Sequence, residues 1–239
     1  MKGVILAGGS GSRLYPLTKV TNKHLLPVGK IPMIYHPIKK LTEAGIKDIL
    51  VVTGVEHMGE VVNLLGSGRD FRCRFTYKVQ DEAGGIAQAL FLAREFADDE
   101  RIVVILGDNV FEDPLTPFIS RFKKQKKGAR ILVKEVSDPQ RFGVVEFKNG
   151  KILTIEEKPK KPRSKFVVTG IYFYDPEVFE IVRTLRPSHR GELEISDVNN
   201  QYLKKNLLEY DILSGWWTDA GTFESLERAT LLIEGRVKL

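Results

Sequence analysis

Residues 1–14 read MKGVILAGGSGSRL: an apolar run, Val4 to Ala7, that passes directly into Gly8, Gly9, Ser10, Gly11 and Ser12 and then into Arg13. A short apolar run closed by glycine is the pattern of a strand buried on both faces. Glycines immediately after such a strand let backbone N–H groups approach a ligand, most often a phosphate, because no Cβ stands in the way. The stretch therefore predicts the first strand-to-helix turn of a doubly wound sheet. It is not a dinucleotide fingerprint, because G-x-G-x-x-G begun at Gly9 needs a glycine where Leu14 stands. It is not a Walker A loop either, since no Gly-Lys-Ser/Thr follows Gly8 at the required spacing. What remains is a loop of amides with one permanent cation, Arg13, whose forked donors suit polyphosphate oxygens.

Outward from this turn, the first half repeats the same grammar. DILVVTG (48–54) and RIVVILGD (101–108) are further apolar runs closed by glycine, and helical patterns lie at 34–44, 56–65 and 86–96. Alternating strands and helices predict an α/β fold, a Rossmann-like doubly wound sheet flanked by helices. From about residue 129 the pattern changes to RILVKEV, FGVVEF, KILTIEE and KFVVTGIYFY, with Asn149-Gly150 as a hairpin signal, so the sheet is expected to become mixed. A capped segment after Asp175-Pro176, a helix over 195–204 and a last helix after Thr222 complete the reading. No repeat or long linker divides the chain. One domain over 1–239 is expected, with a doubly wound half of about 1–128 and a mixed-strand half of about 129–239.

The chain has 239 residues, 42% of them hydrophobic, and a net charge of +6, enough for a full core and a mild attraction to polyanions. Its basic clusters, such as 123–127, are short and carry no interleaved aromatics, which argues against a nucleic-acid partner. The lone cysteine, Cys73, reads as an inert strand side chain, and fits a reducing compartment. No apolar segment reaches 18 residues, so no membrane span is expected and the location is read as cytoplasmic.

Three further residues complete the chemistry. Lys23, in TNKHLLPVGKIPM, reads either as an exposed lysine or as a second cation for the phosphates. Asp108 follows a buried strand at its carboxyl end, where open α/β sheets place ligands, and Asp219 stands in WWTDAGT. Either aspartate alone is equally a turn cap. Combined with a polyphosphate loop, the pair suggests Mg²⁺, which takes one or two protein carboxylates and fills its shell with phosphate oxygens and water.

In chain order, LAGGSGSRL, NKHLLPVGKIPMIYHPI, VQDEAGGIAQAL, LGDN, FGVVEF, EEKP, VTGIYFYD, GELEISDVN and WWTDAGTFESL closely resemble the glucose-1-phosphate thymidylyltransferases of the sugar-nucleotide pyrophosphorylase group. The resemblance runs from Met1 to about Leu232. It implies that the phosphate oxygen of glucose 1-phosphate attacks the α-phosphorus of dTTP or UTP, with no covalent enzyme intermediate. It further implies Arg13 and Lys23 as catalytic cations on the phosphates, and Asp108 and Asp219 as ligands of Mg²⁺. Leu6, Gly8, Gly9, Gly11, Gln80 and Gly85 fall to the nucleotide, with Gln80 offering both a donor and an acceptor to the pyrimidine edge. Asn109, Gly143, Glu157, Lys158, Val168 and Thr169 fall to the sugar phosphate. The resemblance also implies that the half of about 1–128 binds the nucleotide and the half of about 129–239 the sugar phosphate, and it implies a homo-oligomer.

Three departures stand out: His24 replaces a common glutamine, Asp81–Gly84 replaces a loop usually rich in proline and serine, and Ala220 replaces a common threonine. Longer members of the group continue past the TFESL helix to build a regulatory nucleotide site, which is expected to be missing or different here. The alternatives are a pyrophosphorylase for another nucleotide or sugar phosphate, and a non-catalytic sugar-nucleotide sensor.

Overall fold

The computed structural model describes residues 1–237; the last two residues of the predicted sugar half, Lys238 and Leu239, lie outside the described residues. Strand β1 (Lys2–Ala7) is buried from Gly3 onward. Its even side chains, Val4 and Leu6, enter one core with Leu50, Val52 and Val104, while Ile5 and Ala7 enter the opposite core with Ile49, Val51 and Val103. This is why these strands read as unbroken apolar runs: both faces are covered.

A short hairpin, β2 (Pro27–Val28) and β3 (Ile31–Pro32), precedes α1 (Tyr35–Glu43). Then come β4 (Asp48–Gly54), α2 (Met58–Leu65), β5 (Arg74–Gln80), α3 (Ile86–Phe91) and α4 (Arg94–Ala97). The middle of the chain forms β6 (Ile102–Leu106), β7 (Asn109–Phe111), α5 (Thr116–Lys124), β8 (Ala129–Glu135), β9 (Gly143–Lys148) and β10 (Lys151–Glu157). It closes with β11 (Phe166–Tyr174), α6 (Glu177–Thr184), α7 (Ile195–Lys204), β12 (Leu208–Ile212), β13 (Trp217–Asp219) and α8 (Phe223–Ile233).

Nine strands make one sheet in the order β10-β9-β11-β6-β1-β4-β5, with β8 beside β11 and β12 beside β8. The β6-β1-β4-β5 portion is parallel, and β11 joins it antiparallel to β6. The change of direction at β6/β11 is the feature that positions the cleft. The β9–β10 hairpin turns at Asn149 and Gly150, both at positive φ (52° and 72°), as a two-residue primed turn requires.

The expected helix over 86–96 is interrupted. At Leu92–Ala93 the winding tightens, with Ala93 N donating to Leu90 O (2.9 Å), and both Ala93 and Ala97 remain fully buried. Cys73 lies one residue before β5 rather than in it, and burial, with the charge of Asp48, pushes its thiol up to about 11. The α8 helix starts on a capping box, Thr222 exchanging hydrogen bonds with Ser225. The ribbon of β7 and β13 pairs Asp219 with Asn109 and Trp217 with Phe111, and so brings the WWTD motif against Asp108.

Candidate active site

A cleft of about 340 Å³ opens at the carboxyl ends of β1 and β6, beside the parallel-to-antiparallel switch. Open α/β sheets bind ligands at this kind of position. One wall begins with the glycine loop. Gly11 has φ 62° and opens the short 3₁₀ turn Ser12–Leu14 that carries Arg13; its carbonyl accepts from the Thr18 hydroxyl (2.9 Å). A second such turn, Lys23–Leu25, is capped by the Asn22 side chain, which accepts from His24 N (2.9 Å) and from the His24 ring at Nδ1 (2.6 Å). Burial, reinforced by the Lys23 charge, pushes His24 down to about 3, so its imidazole is neutral at physiological pH.

That turn aims Lys23 at Asp108, Nζ to Oδ2 2.5 Å. Burial would raise the Asp108 carboxyl, but the Lys23 charge, with His24 and a hydrogen bond from Asn109 (3.2 Å), holds it well below the usual carboxylate range. The Asn109 oxygen in turn accepts from Trp217 Nε1 (2.6 Å) and Gly170 N (2.9 Å), which locks its orientation between β13 and β11.

Asp219 behaves oppositely. Burial and then the Asp108 charge raise it, against the pull of Arg141, Arg13 and Lys23. Arg141 Nη2 spans both of its oxygens at 3.0 and 2.9 Å. The position a Cβ on Gly221 would occupy is 3.2 Å from Arg13 Nη2, 3.2 Å from Asp219 Oδ2 and 3.5 Å from Asp108 Oδ2. The guanidinium and both carboxylates therefore converge beside Gly221.

The far end of the cleft is a second polar cluster. Glu157 Oε2 accepts from Ser196 Oγ (2.5 Å), while Oε1 has Lys158 Nζ at 3.8 Å and Arg190 Nη1 at 4.0 Å. Burial raises the Glu157 carboxyl, partly offset by Ser196 and Lys158. A side chain at Gly143 would meet Ser196 Oγ at 2.8 Å, so the glycine keeps this pair together. Lys158 holds φ 44°, a left-handed conformation uncommon outside glycine and a strained one just before Pro159.

Fourteen of the sixteen residues singled out in the sequence border the cleft. Gly11 does not: it packs against Thr18 and the Lys23 Cβ, and serves the turn behind the loop. Thr169 does not either; its hydroxyl is fully buried and donates to Leu132 O (2.9 Å) in β8. Sequence reasoning missed Arg141, Ser196, Tyr172 and Trp217, all of which border the cleft. Asp138-Pro139 ahead of FGVVEF was a usable signal for Arg141, because it starts the 3₁₀ turn in which Asp138 holds that arginine at 2.8 Å.

The profile described as Nucleotidyl transferase matches residues 2–235. The chain belongs to the nucleotidyl transferase family. Among curated members, a glucose-1-phosphate thymidylyltransferase of Neisseria meningitidis is 46% identical over 98% of this chain and 83% of its own length. One from Mycobacterium tuberculosis is 43% identical over 95% of this chain and 80% of its own length. A Bacillus anthracis protein that carries the same thymidylyltransferase name provisionally, crystallised with a sucrose, is 60% identical with a TM-score of 0.94, covering 97% of this chain and 94% of that one. A UDP-glucose pyrophosphorylase crystallised with UDP-glucose shares the fold, at TM-score 0.88 and 24% identity over 99% of each chain. The nucleotidyltransferase thus places two cations and two carboxylates from distant parts of its chain in one cleft.

Proposed function

We propose that this nucleotidyltransferase joins dTTP or UTP to glucose 1-phosphate, giving a nucleoside diphosphate glucose and pyrophosphate. The observation that carries the reading is the meeting of Arg13, Lys23, Asp108 and Asp219 at one end of a cleft whose other end holds Glu157, Lys158 and Ser196. The first group suits a triphosphate and the second a phosphorylated sugar. The thymidylyltransferase name of the curated relatives supports the same substrates. A division of labour between residues 1–128 and the remainder is part of this reading, as are a cytoplasmic location and a homo-oligomeric state. No described helix is long and apolar enough to cross a membrane.

In the proposed reaction an oxygen of the sugar phosphate forms a bond to the α-phosphorus. The bond from that phosphorus to the bridging oxygen breaks, and pyrophosphate leaves with the electron pair on the side opposite the attack. The protein's task is alignment of two anions and relief of their repulsion. Amides of Gly8 and Gly9 and the Arg13 fork receive the triphosphate. Lys23, fixed by Asp108, presents its ammonium to the reacting phosphates. Lys158 steadies the sugar phosphate, and Glu157, with Oε2 held by Ser196, keeps Oε1 for a sugar hydroxyl.

The donor set also fits a hard divalent cation. Two buried carboxylates share the space beside Gly221, and the negative charge of Asp108 helps raise Asp219, a repulsion that a cation would relieve. Mg²⁺ held there by Asp108 and Asp219 would supply charge neutralisation on the phosphate oxygens. The deciding experiment measures pyrophosphate release from each nucleoside triphosphate with a panel of sugar 1-phosphates and Mg²⁺. Fastest release is expected with dTTP or UTP and glucose 1-phosphate; release with no pair overturns the reading.

A further inference from the structure

The wall beyond the glycine loop holds two glutamines whose orientations are dictated by backbone groups. Gln80, the last residue of β5, donates through Nε2 to Gly85 O (3.2 Å) and to Gln88 Oε1 (2.7 Å). Gln88, on α3, accepts at the same Oε1 from Gly84 N (3.0 Å). A backbone N–H can only donate and a backbone carbonyl can only accept. Gly84 therefore demands an oxygen from Gln88, Gly85 demands a nitrogen from Gln80, and neither amide can be turned over without leaving two like groups face to face.

A primary amide carries two hydrogens, and both of those on Gln80 are consumed in this way. What Gln80 still offers is Oε1. That oxygen lies 2.8 Å from where a Cβ on Gly8 would stand, against the loop that borders the cleft. The relay is held from behind as well. Leu193 N donates to Gly84 O (2.8 Å) and Leu193 O accepts from Ala87 N (3.1 Å), which clasps the loop carrying Gly84 and Gly85. Glycine is required at 85, where φ is 98° and a Cβ would meet Leu193 O at 2.5 Å.

We propose that Gln88 is a positioning residue for base selection: by taking up the amide donor of Gln80 it makes Gln80 an acceptor only, matched to a base with a ring N–H on its edge. Thymine and uracil carry such an imide N–H. Cytosine presents a lone pair at the same ring nitrogen and is turned away by oxygen facing lone pair. The inference rests on the reading of this wall as the base end of the proposed nucleotide site, and it replaces the expectation that Gln80 offers the base a donor and an acceptor together.

The test compares wild type, Gln88→Leu and Gln88→Glu, by direct binding of dTTP and dCTP and by kcat/KM for each. Wild type is expected to favour dTTP. Gln88→Leu removes the acceptor, frees the Gln80 amide to turn, and should shrink the dTTP/dCTP preference at least about 10-fold while kcat with dTTP stays within about 3-fold. Gln88→Glu keeps an oxygen for both Gly84 N and Gln80 Nε2 and should retain the preference, a rescue that a merely structural role would not predict. An unchanged preference in Gln88→Leu, or an equal loss in Gln88→Glu, overturns the proposal. So does a wild type that binds dCTP as tightly as dTTP. Should Gln88→Leu fail to fold, Gln88→Met carries the same prediction. The binding arm needs no sugar, so absence of turnover with glucose 1-phosphate would count against the proposed function and leave the base preference to be read separately.

Discussion

On the first-half wall of the cleft, the groups that face the ligand are backbone amides or side chains on tight turns at strand ends. On the second-half wall they are side chains joined across long stretches of chain. Gly8, Gly9 and Arg13 lie within one loop after β1, and Gln80 reaches only to Gly85 and Gln88. By contrast Arg141 meets Asp219 across 78 residues and Ser196 meets Glu157 across 39. The electrostatics divide in the same way. Lys23 keeps Asp108 strongly ionised, whereas Asp219 is raised by burial and by Asp108 despite the Arg141 Nη2 that spans both its oxygens. The first wall is thus built locally except at the Lys23–Asp108 pair, which closes it across 85 residues, and in the proposed reading it receives the triphosphate charge. The second wall rests on the two distant pairs and, in the same reading, receives the sugar phosphate.

The strongest way to break this contrast is to remove one carboxylate from each wall. Asp108→Asn and Asp219→Asn are each expected to lower kcat/KM by at least about 10³ at fixed Mg²⁺, because in the proposed site a shared ion would lose a ligand whichever side is changed. Steady-state rates, with thermal melts to verify folding, decide it. A large loss in only one variant would assign the metal to one wall and end the idea that it bridges them. Next in size is Arg13→Ala, expected to cost about 10²–10³ in kcat if its fork acts on charge that moves to the departing pyrophosphate. Arg13→Lys should recover only part of this, since a point charge lacks the fork. A change in KM alone would reduce Arg13 to a binding residue.

The walls should also separate kinetically. Gln80→Ala is expected to raise KM for the nucleoside triphosphate and blur base choice by roughly 1–3 kcal/mol, the cost of an unpaired buried edge. Glu157→Ala should raise KM for glucose 1-phosphate and leave base choice alone. Initial rates over a grid of both substrates check this, and equal shifts of one parameter in both variants would break the two-wall picture.

How much of this was legible in the sequence follows the same division. The strands β1, β4 and β6 announced themselves because both of their faces are covered, so the middle of each run is apolar. The Asn149-Gly150 hairpin and the Thr222 cap were equally local signals. The ribbon of β7 and β13 was not legible: three residues per strand are too few for alternation to register, and its pairing joins Asn109 to Asp219. Arg141 and Ser196 were missed for a related reason. Ser196 owes its place to Glu157, 39 residues away, and although Asp138-Pro139 marked the turn that carries Arg141, nothing local implied its pairing with Asp219. Gly11, assigned with the loop to the nucleotide, lies behind the cleft lining with its close approach to Thr18.

The smallest expected effect tests whether the first wall keeps its charge uncontested. His24 sits beneath Lys23, buried, with its titration pushed down to about 3 from the usual 6.5. The unfolded chain takes up a proton on this histidine below 6.5 while the folded chain refuses it until about 3. The resulting stability is fully present above the unfolded value and is lost as pH falls through the interval between the two. From pH 8 to pH 6 the loss should be roughly 1 kcal/mol, steepening to about 1.4 kcal/mol per pH unit below that. In His24→Gln the amide can still donate to Asn22 but has no proton to take up, so this component of the slope should vanish. Urea unfolding of both proteins at pH 8, 6 and 5 measures the difference. Parallel slopes would mean that His24 accepts its proton in the folded state as readily as in the unfolded one. Lys23 would then have to share its end of the cleft with a second positive charge, and the balance that holds Asp108 ionised would shift from Lys23 toward His24.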